Sequence, residues 1–167
     1  MATALLGAWI GITASMWFAA TGSFSTVRRV LEGPDPRLSE VTRPLGPDQT
    51  RVVLRHLASE INRTYFRAYG WAQVALAASL LFLLLRQTPR DRVALAMVGA
   101  MLALVLALAF YVTPEIVSIG RALDFVPRDP PPPEMGRFRI LHGAYTGLDG
   151  VKLLAGVGLL ARWMVDR

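Results

Sequence analysis

His142, Tyr145, Asp149 and Lys152 recur along one side of the segment ILHGAYTGLDGVKLLAGVGLLA, which lies between Arg139 and Arg162. On an ideal helix the four fall within an arc of about 80°, so an otherwise apolar stretch of membrane length carries one polar stripe. Ionised groups at membrane depth are costly unless they face protein, a partner charge or a water-filled cavity, and they often mark functional sites. Asp149 and Lys152 are three residues apart and able to pair on one helix face. In chemical terms the stripe offers a carboxylate base, an ammonium, a phenol donor and an imidazole.

A second polar face precedes the second apolar block. His56, Glu60, Arg63 and Arg67 lie within an arc of about 60° on the helix expected after Pro47. The beginnings of this helix and of the last one fall on the same membrane side, so the Glu60 to Arg67 face is expected to meet Tyr145, Asp149 and Lys152. The same placement makes His56 and His142 a geometrically permitted pair of ligands for a haem iron or a chlorophyll magnesium. Gly143 and Gly147 would make room for a flat ring, or equally for a neighbouring helix. These two histidines stand without any redox signature, and no resident cofactor or metal site is predicted. Cysteine is absent, which removes disulfides, thiolate catalysis and cysteine-ligated zinc or iron–sulfur centres. No serine elbow, metalloprotease pair or phosphate-binding glycine loop appears, so the residue types permit catalysis without implying it.

The elements that must hold these residues are membrane helices. Of the 167 residues 53% are hydrophobic, and they are gathered into blocks. Met1 to Val27, Ala68 to Leu85 and Val93 to Pro114 contain no charged side chain. About 20 apolar residues cross the hydrocarbon core. With the striped segment, the blocks predict a single all-α domain, a four-transmembrane-helix bundle with spans at about 5–24, 66–85, 93–112 and 140–161. The first block lacks the basic start and cleavage pattern of a signal peptide and is read as a span. Loops are expected at 25–50 and 115–138, both on one side, the first with a short helical extension over Thr26 to Glu32 and the second with an amphipathic segment over Ile116 to Phe125 that sets Arg121 near Asp124. Pro114 is expected to end the third helix, and Pro127 with Pro130 to Pro133 to form a rigid return. Gly7 and Gly11 on the first helix permit close approach of another helix, by default from the same bundle.

The formal net charge is +6, and Lys152 is the only lysine among 18 basic residues. The arginines flank apolar blocks without a nucleic-acid-binding module, which favours anionic lipid head groups over nucleic acid. The short connection from Arg86 to Arg92 forces its two helices to be antiparallel neighbours. Its arginines, with Arg162 and Arg167, point to a cytoplasmic position for that turn and both termini, in a bacterial inner membrane.

Thr21-Gly22-Ser23-Phe24 at the end of the Trp9-containing helix, the run Leu57-Ala58-Ser59-Glu60-Ile61-Asn62-Arg63 with Tyr65-Phe66, and Phe138 with Leu141-His142-Gly143 resemble a bacterial four-helix membrane-domain family of unassigned activity. That family is related to a eukaryotic transmembrane protein linked to drug tolerance. The resemblance implies similar topology over most of the chain and draws attention to Asn62, Arg63, His142 and Gly143 as an interface-level site. It carries no activity onto these residues. The residues themselves point to a small structural or accessory subunit that docks to other membrane subunits or to itself. The alternative is a small transporter or permeability factor working through Asp149 and Lys152.

Overall fold

The computed structural model describes residues 1–33, 35–127 and 129–165. Among them there is no strand. The helices are α1 (Ala2–Glu32), α2 (Pro36–Thr42), α3 (Gly46–Arg86), α4 (Arg92–Ala107), α5 (Thr113–Ala122) and α6 (Glu134–Val165), with a π-helical turn at Leu108–Val112 joining α4 to α5. Three stretches, Ala2–Glu32, Gly46–Arg86 and Arg92–Ala122, are long and apolar enough to cross a membrane. The protein is an all-α integral membrane protein.

The helices start where the local chemistry favours it. Asp91 caps α4 by accepting from the Ala94 N–H at 3.0 Å, and Asp35 caps α2 by accepting from Arg37 at 2.7 Å, with Pro36 in the first turn, where it has no N–H to lose. Asp48, by contrast, sits inside the first turn of α3 beside Arg51 at 3.6 Å.

Two expectations about helix ends do not hold. Pro114 does not stop the third span, because the π turn immediately before it loosens the ladder, and the Thr113 N–H reaches back to the Leu108 carbonyl. Proline lacks a donor and crowds the carbonyl four residues earlier, and a π turn relieves both constraints. Nor are 25–50 and 115–138 mainly loop. α1 runs on through Arg28 and Arg29 to Glu32, α2 fills 36–42, α3 has begun by Gly46, and α5 and α6 take most of 115–138. At 1.5 Å per residue, the 41 residues of α3 reach about 60 Å, roughly twice the hydrocarbon thickness. The surplus forms a helical collar at the end of the bundle opposite the Arg86 to Arg92 turn.

α1 packs along α3 and α6, and α3 along α4. Leu6, Trp9, Ala77, Leu80, Leu84, Ala94, Val98, Met101, Val105 and Leu159 form one buried cluster. Lipid is as apolar as leucine, so close packing and polar contacts hold membrane helices together. Gly156 provides the closest approach in this cluster: a Cβ there would lie 3.4 Å from Ile10 and 3.5 Å from Met101. At the far end, Asp91 accepts from Arg162 at 3.0 Å and from the Trp163 indole at 3.2 Å, pinning the end of α6 to the α3–α4 turn. The Ala94 N–H, with Arg162 and Trp163, holds the Asp91 carboxyl below the usual carboxylate range.

Candidate functional site

Asp149 and Lys152 come together in the middle of the bundle. Lys152 Nζ lies 2.5 Å from Asp149 Oδ1, and the two residues are 2% and 0% exposed. Their partners come from α1 and α3. The Trp17 indole donates to Asp149 Oδ2 at 2.9 Å. The Tyr69 hydroxyl lies 3.1 Å from both carboxylate oxygens and 3.0 Å from Thr13 Oγ1, and it accepts from Lys152 at 3.0 Å. Gln73 Oε1 accepts from the Trp9 indole at 3.2 Å and also from Lys152. The ammonium further lies 5.2 Å from the Tyr69 ring centroid and 5.9 Å from that of Trp9.

Helical spacing produces this convergence. Trp9, Thr13 and Trp17 recur every four residues on α1, Tyr69 and Gln73 do so on α3, and Asp149 and Lys152 are three apart on α6, so each trio or pair shares a face. Gly150 lets Trp17 in, since a Cβ there would lie 3.4 Å from the indole. The two opposite charges therefore face each other and hydrogen-bond to protein groups, the condition under which a buried pair is tolerated.

Asp149 and Lys152 find their partners at Tyr69 and Gln73 rather than at Glu60 to Arg67, while Asn62, Arg63 and Phe66 share the walls of one cavity with His142 and Tyr145. Gln73 lies 13 residues before Arg86, and Asp149 lies 13 before Arg162. Counting from those ends puts Gln73 level with Asp149; toward the collar, Tyr69 follows after about one turn, Arg67 after about one and a half and Glu60 after about three and a half. Arg67 is exposed. Tyr145, which Arg67 was expected to approach, is buried with its ring edge-on to Phe66 at 5.4 Å.

The α3 face forms a second cluster with Asp124, just past α5. Arg63 makes a fork on this carboxylate, at 2.7 and 2.9 Å, and reaches Glu60 at 2.5 Å. Arg121 lies 3.5 Å from Glu60, and His56 Nδ1 lies 2.9 Å from Asp124 Oδ2. His56, Glu60 and Asp124 have the geometry of a three-ligand cation site, with ligand atoms within 4.8 Å of one another. The Arg63 guanidinium already occupies that place and supplies the positive charge. The histidines have separate surroundings: His56 packs on Phe125 at 4.7 Å, and the exposed His142 stacks on Phe138 at 5.8 Å.

Burial raises the Asp124 carboxyl, but the hydrogen bonds from Arg63 and His56 outweigh it and leave the group below the usual carboxylate range. A depressed native carboxyl contributes stability that is complete above the ordinary carboxylate value and lost as pH falls through the depressed one. Thermal unfolding in detergent should therefore weaken progressively below about pH 4. Asp124→Asn should flatten that decline, and an unchanged pH profile in this variant would contradict the assignment.

Beside the second cluster, whose Arg63 and Asp124 contribute to its wall, α1, α3, α5 and α6 border a partly open cavity of about 350 Å³, also lined by Phe24, Arg55, Ser59, Asn62, Phe66, Phe138, His142 and Tyr145. Asn62 is 7% exposed; its Nδ2 donates to the Ala20 carbonyl at 3.2 Å, while Oδ1 is buried without a donor. Exchanging the two amide atoms would set oxygen against the Ala20 oxygen, so the acceptor is fixed as the orphan. An unsatisfied buried acceptor costs about 1–3 kcal/mol.

The predicted glycine contacts are absent. A Cβ on Gly7, Gly11, Gly143 or Gly147 would meet nothing within 4 Å. Gly7 and Gly11 lie across α1 from the buried Leu6, Trp9, Thr13 and Met16. The close approaches are instead at Gly70, against Ala109, and at Gly120, Gly150 and Gly156.

Trp9, Thr13, Trp17, Tyr69, Gln73 and Asp124 join the site from outside the residues singled out by charge. For the α1 and α3 residues the signal in the sequence is the four-residue recurrence of hydrogen-bonding side chains within charge-free blocks; Asp124 carries no such signal.

A model of a family described as a domain of unknown function, DUF4149, matches residues 4–122, and the chain belongs to that family. The match covers α1 to α5, including every partner of Asp149 and Lys152 on α1 and α3, and stops before α6. No curated protein matches the chain, and no solved structure does.

Proposed function

We propose that this member of the DUF4149 family is a four-span accessory subunit of a membrane complex, with α6 as the fourth span and the glycine faces of α1 and α6 as its docking surfaces. The 32 residues of α6 give about 48 Å of helix. Asp149 and Lys152 lower its apolarity, but both are satisfied inside the bundle, which removes most of the cost of carrying them through lipid. An even number of spans returns both termini to the side of Arg86, Arg90 and Arg92, a distribution that supports a cytoplasmic, inner-membrane orientation.

The observation that carries docking is the open space over Gly7, Gly11, Gly143 and Gly147. Small residues spaced four apart let another helix approach closely, and here the bundle itself does not use them. Conduction has less support: none of the three described cavities is lined by Asp149 or Lys152, and every contact of the pair is to a helix-locking partner.

Gly7→Leu combined with Gly11→Leu should abolish co-purification of the partner, or self-association, in native nanodiscs. Leucine relieves a helix-propensity cost of about 1 kcal/mol at each glycine, so the isolated subunit should be at least as stable as before. Association that survives both substitutions would refute this surface, and a monodisperse monomer without partners across gentle extractions would refute docking altogether.

A further inference from the structure

We propose that the cavity lined by Arg55, Asn62 and Phe138 binds one anionic membrane lipid whose head group carries a hydroxyl donor. The inference is independent of docking and of whether α6 spans. Depth is the first support. Counting from Arg86, Phe66 lies about 30 Å along α3, at the far edge of the hydrocarbon, whereas Arg55 lies about 46 Å along it, beyond the head-group boundary. The cavity therefore runs from an aromatic end made by Phe66 and Tyr145 to a polar end at Arg55, where the Asp124 carboxylate on the wall is held by Arg63 and His56, the same gradient that a lipid presents from acyl chain to head group.

Chemistry gives the second support. Arg63 is consumed by Asp124 and Glu60. Arg55 is the other arginine on the wall, placed to receive a phosphate as a planar multi-donor cation does. Asn62 forms the wall between these ends and holds a buried acceptor without a donor; a head-group hydroxyl supplies one after a small shift of the amide. At about 350 Å³ the space is near the lower limit for ligand cavities. It suits a head group and the first carbons, with the remaining chains lying against the outside of the bundle.

The test is binding of lipids to the intact protein by native mass spectrometry and by detergent thermal shift. Phosphatidylglycerol, phosphatidylcholine with the same chains and soluble glycerol phosphate are compared. One phosphatidylglycerol should bind saturably, about tenfold tighter than phosphatidylcholine, which has the same phosphate but carries a choline cation in place of the hydroxyl donor for Asn62. Arg55→Gln should remove about tenfold of that affinity, and Ser59→Trp, which places an indole in the cavity that Ser59 lines, should abolish binding. Neither residue holds the core together, so both variants should fold. Equal affinity for phosphatidylcholine, or unchanged affinity in both variants, would overturn the proposal. Glycerol phosphate binding as tightly as the lipid would show a free phosphate ester as the ligand and would overturn the lipid assignment.

Discussion

Replacing Lys152 by methionine is expected to destabilise the protein by about 3–5 kcal/mol, the cost of breaking a buried ion pair by removing one partner. Asp149 is 0% exposed, and without Lys152 it must take up a proton or remain an uncompensated anion at membrane depth. Trp17 and Tyr69 would still donate to it, but Gln73 Oε1 would lose one of its two donors. The paired change Asp149→Leu with Lys152→Met removes both charges and should cost distinctly less than the sum of the single changes, since no ion is left behind. Equilibrium unfolding of the detergent-solubilised protein measures all three. A single change costing under about 1 kcal/mol would mean that the pair does not lock the bundle.

Arg63→Ala should have the next largest effect, about 2–3 kcal/mol, because Asp124 keeps little access to water and loses a two-pronged partner. The Asp124 side chain is only 6% exposed. The damage should be local. Asp124 follows α5 and is tied to α3 by the Arg63 fork and by His56, so loss of the fork should accelerate hydrogen exchange at the end of α5 while the α1–α3 core remains protected. Arg63→Lys should recover only part of the loss, since an ammonium cannot reproduce the fork on Asp124 together with the bond to Glu60. Exchange rising equally throughout the bundle would show that the cluster supports the whole fold rather than the collar.

The apolar blocks announced the three membrane-length helices because a run without charge has few other uses at that length. The polar stripe on α6 was equally visible, since Asp149 and Lys152 stand out against leucine, valine and glycine. Its partners were obscured by axial register. Periodicity gives the face on which a residue lies, but the depth of that face depends on where the helix enters the membrane. α3 begins far outside, so Glu60 to Arg67 face the collar and Tyr69 with Gln73 face the pair. Counting inward from Arg86 and Arg162 would have placed them correctly. The π turn before Pro114 had no sequence signal of its own, which is why the helix runs on where proline alone predicts a stop. Asp124 was visible beside Arg121, but its fork to Arg63 depends on that continued helix. Gly7 and Gly11 show the reverse difficulty: spacing identifies a surface suited to close packing, while only the tertiary arrangement shows that the bundle leaves it open.

Photo-crosslinking in native membranes tests docking most directly. A photoreactive amino acid is placed at Gly11 or Gly147, and at Trp71 or Phe82, which are 61% and 58% exposed and face lipid under the docking arrangement. Positions 11 and 147 should each yield a discrete protein adduct, either with a second subunit or with a second copy of the chain, while positions 71 and 82 yield lipid adducts. Lipid adducts alone at all four positions would contradict the assignment of this protein as a docking subunit.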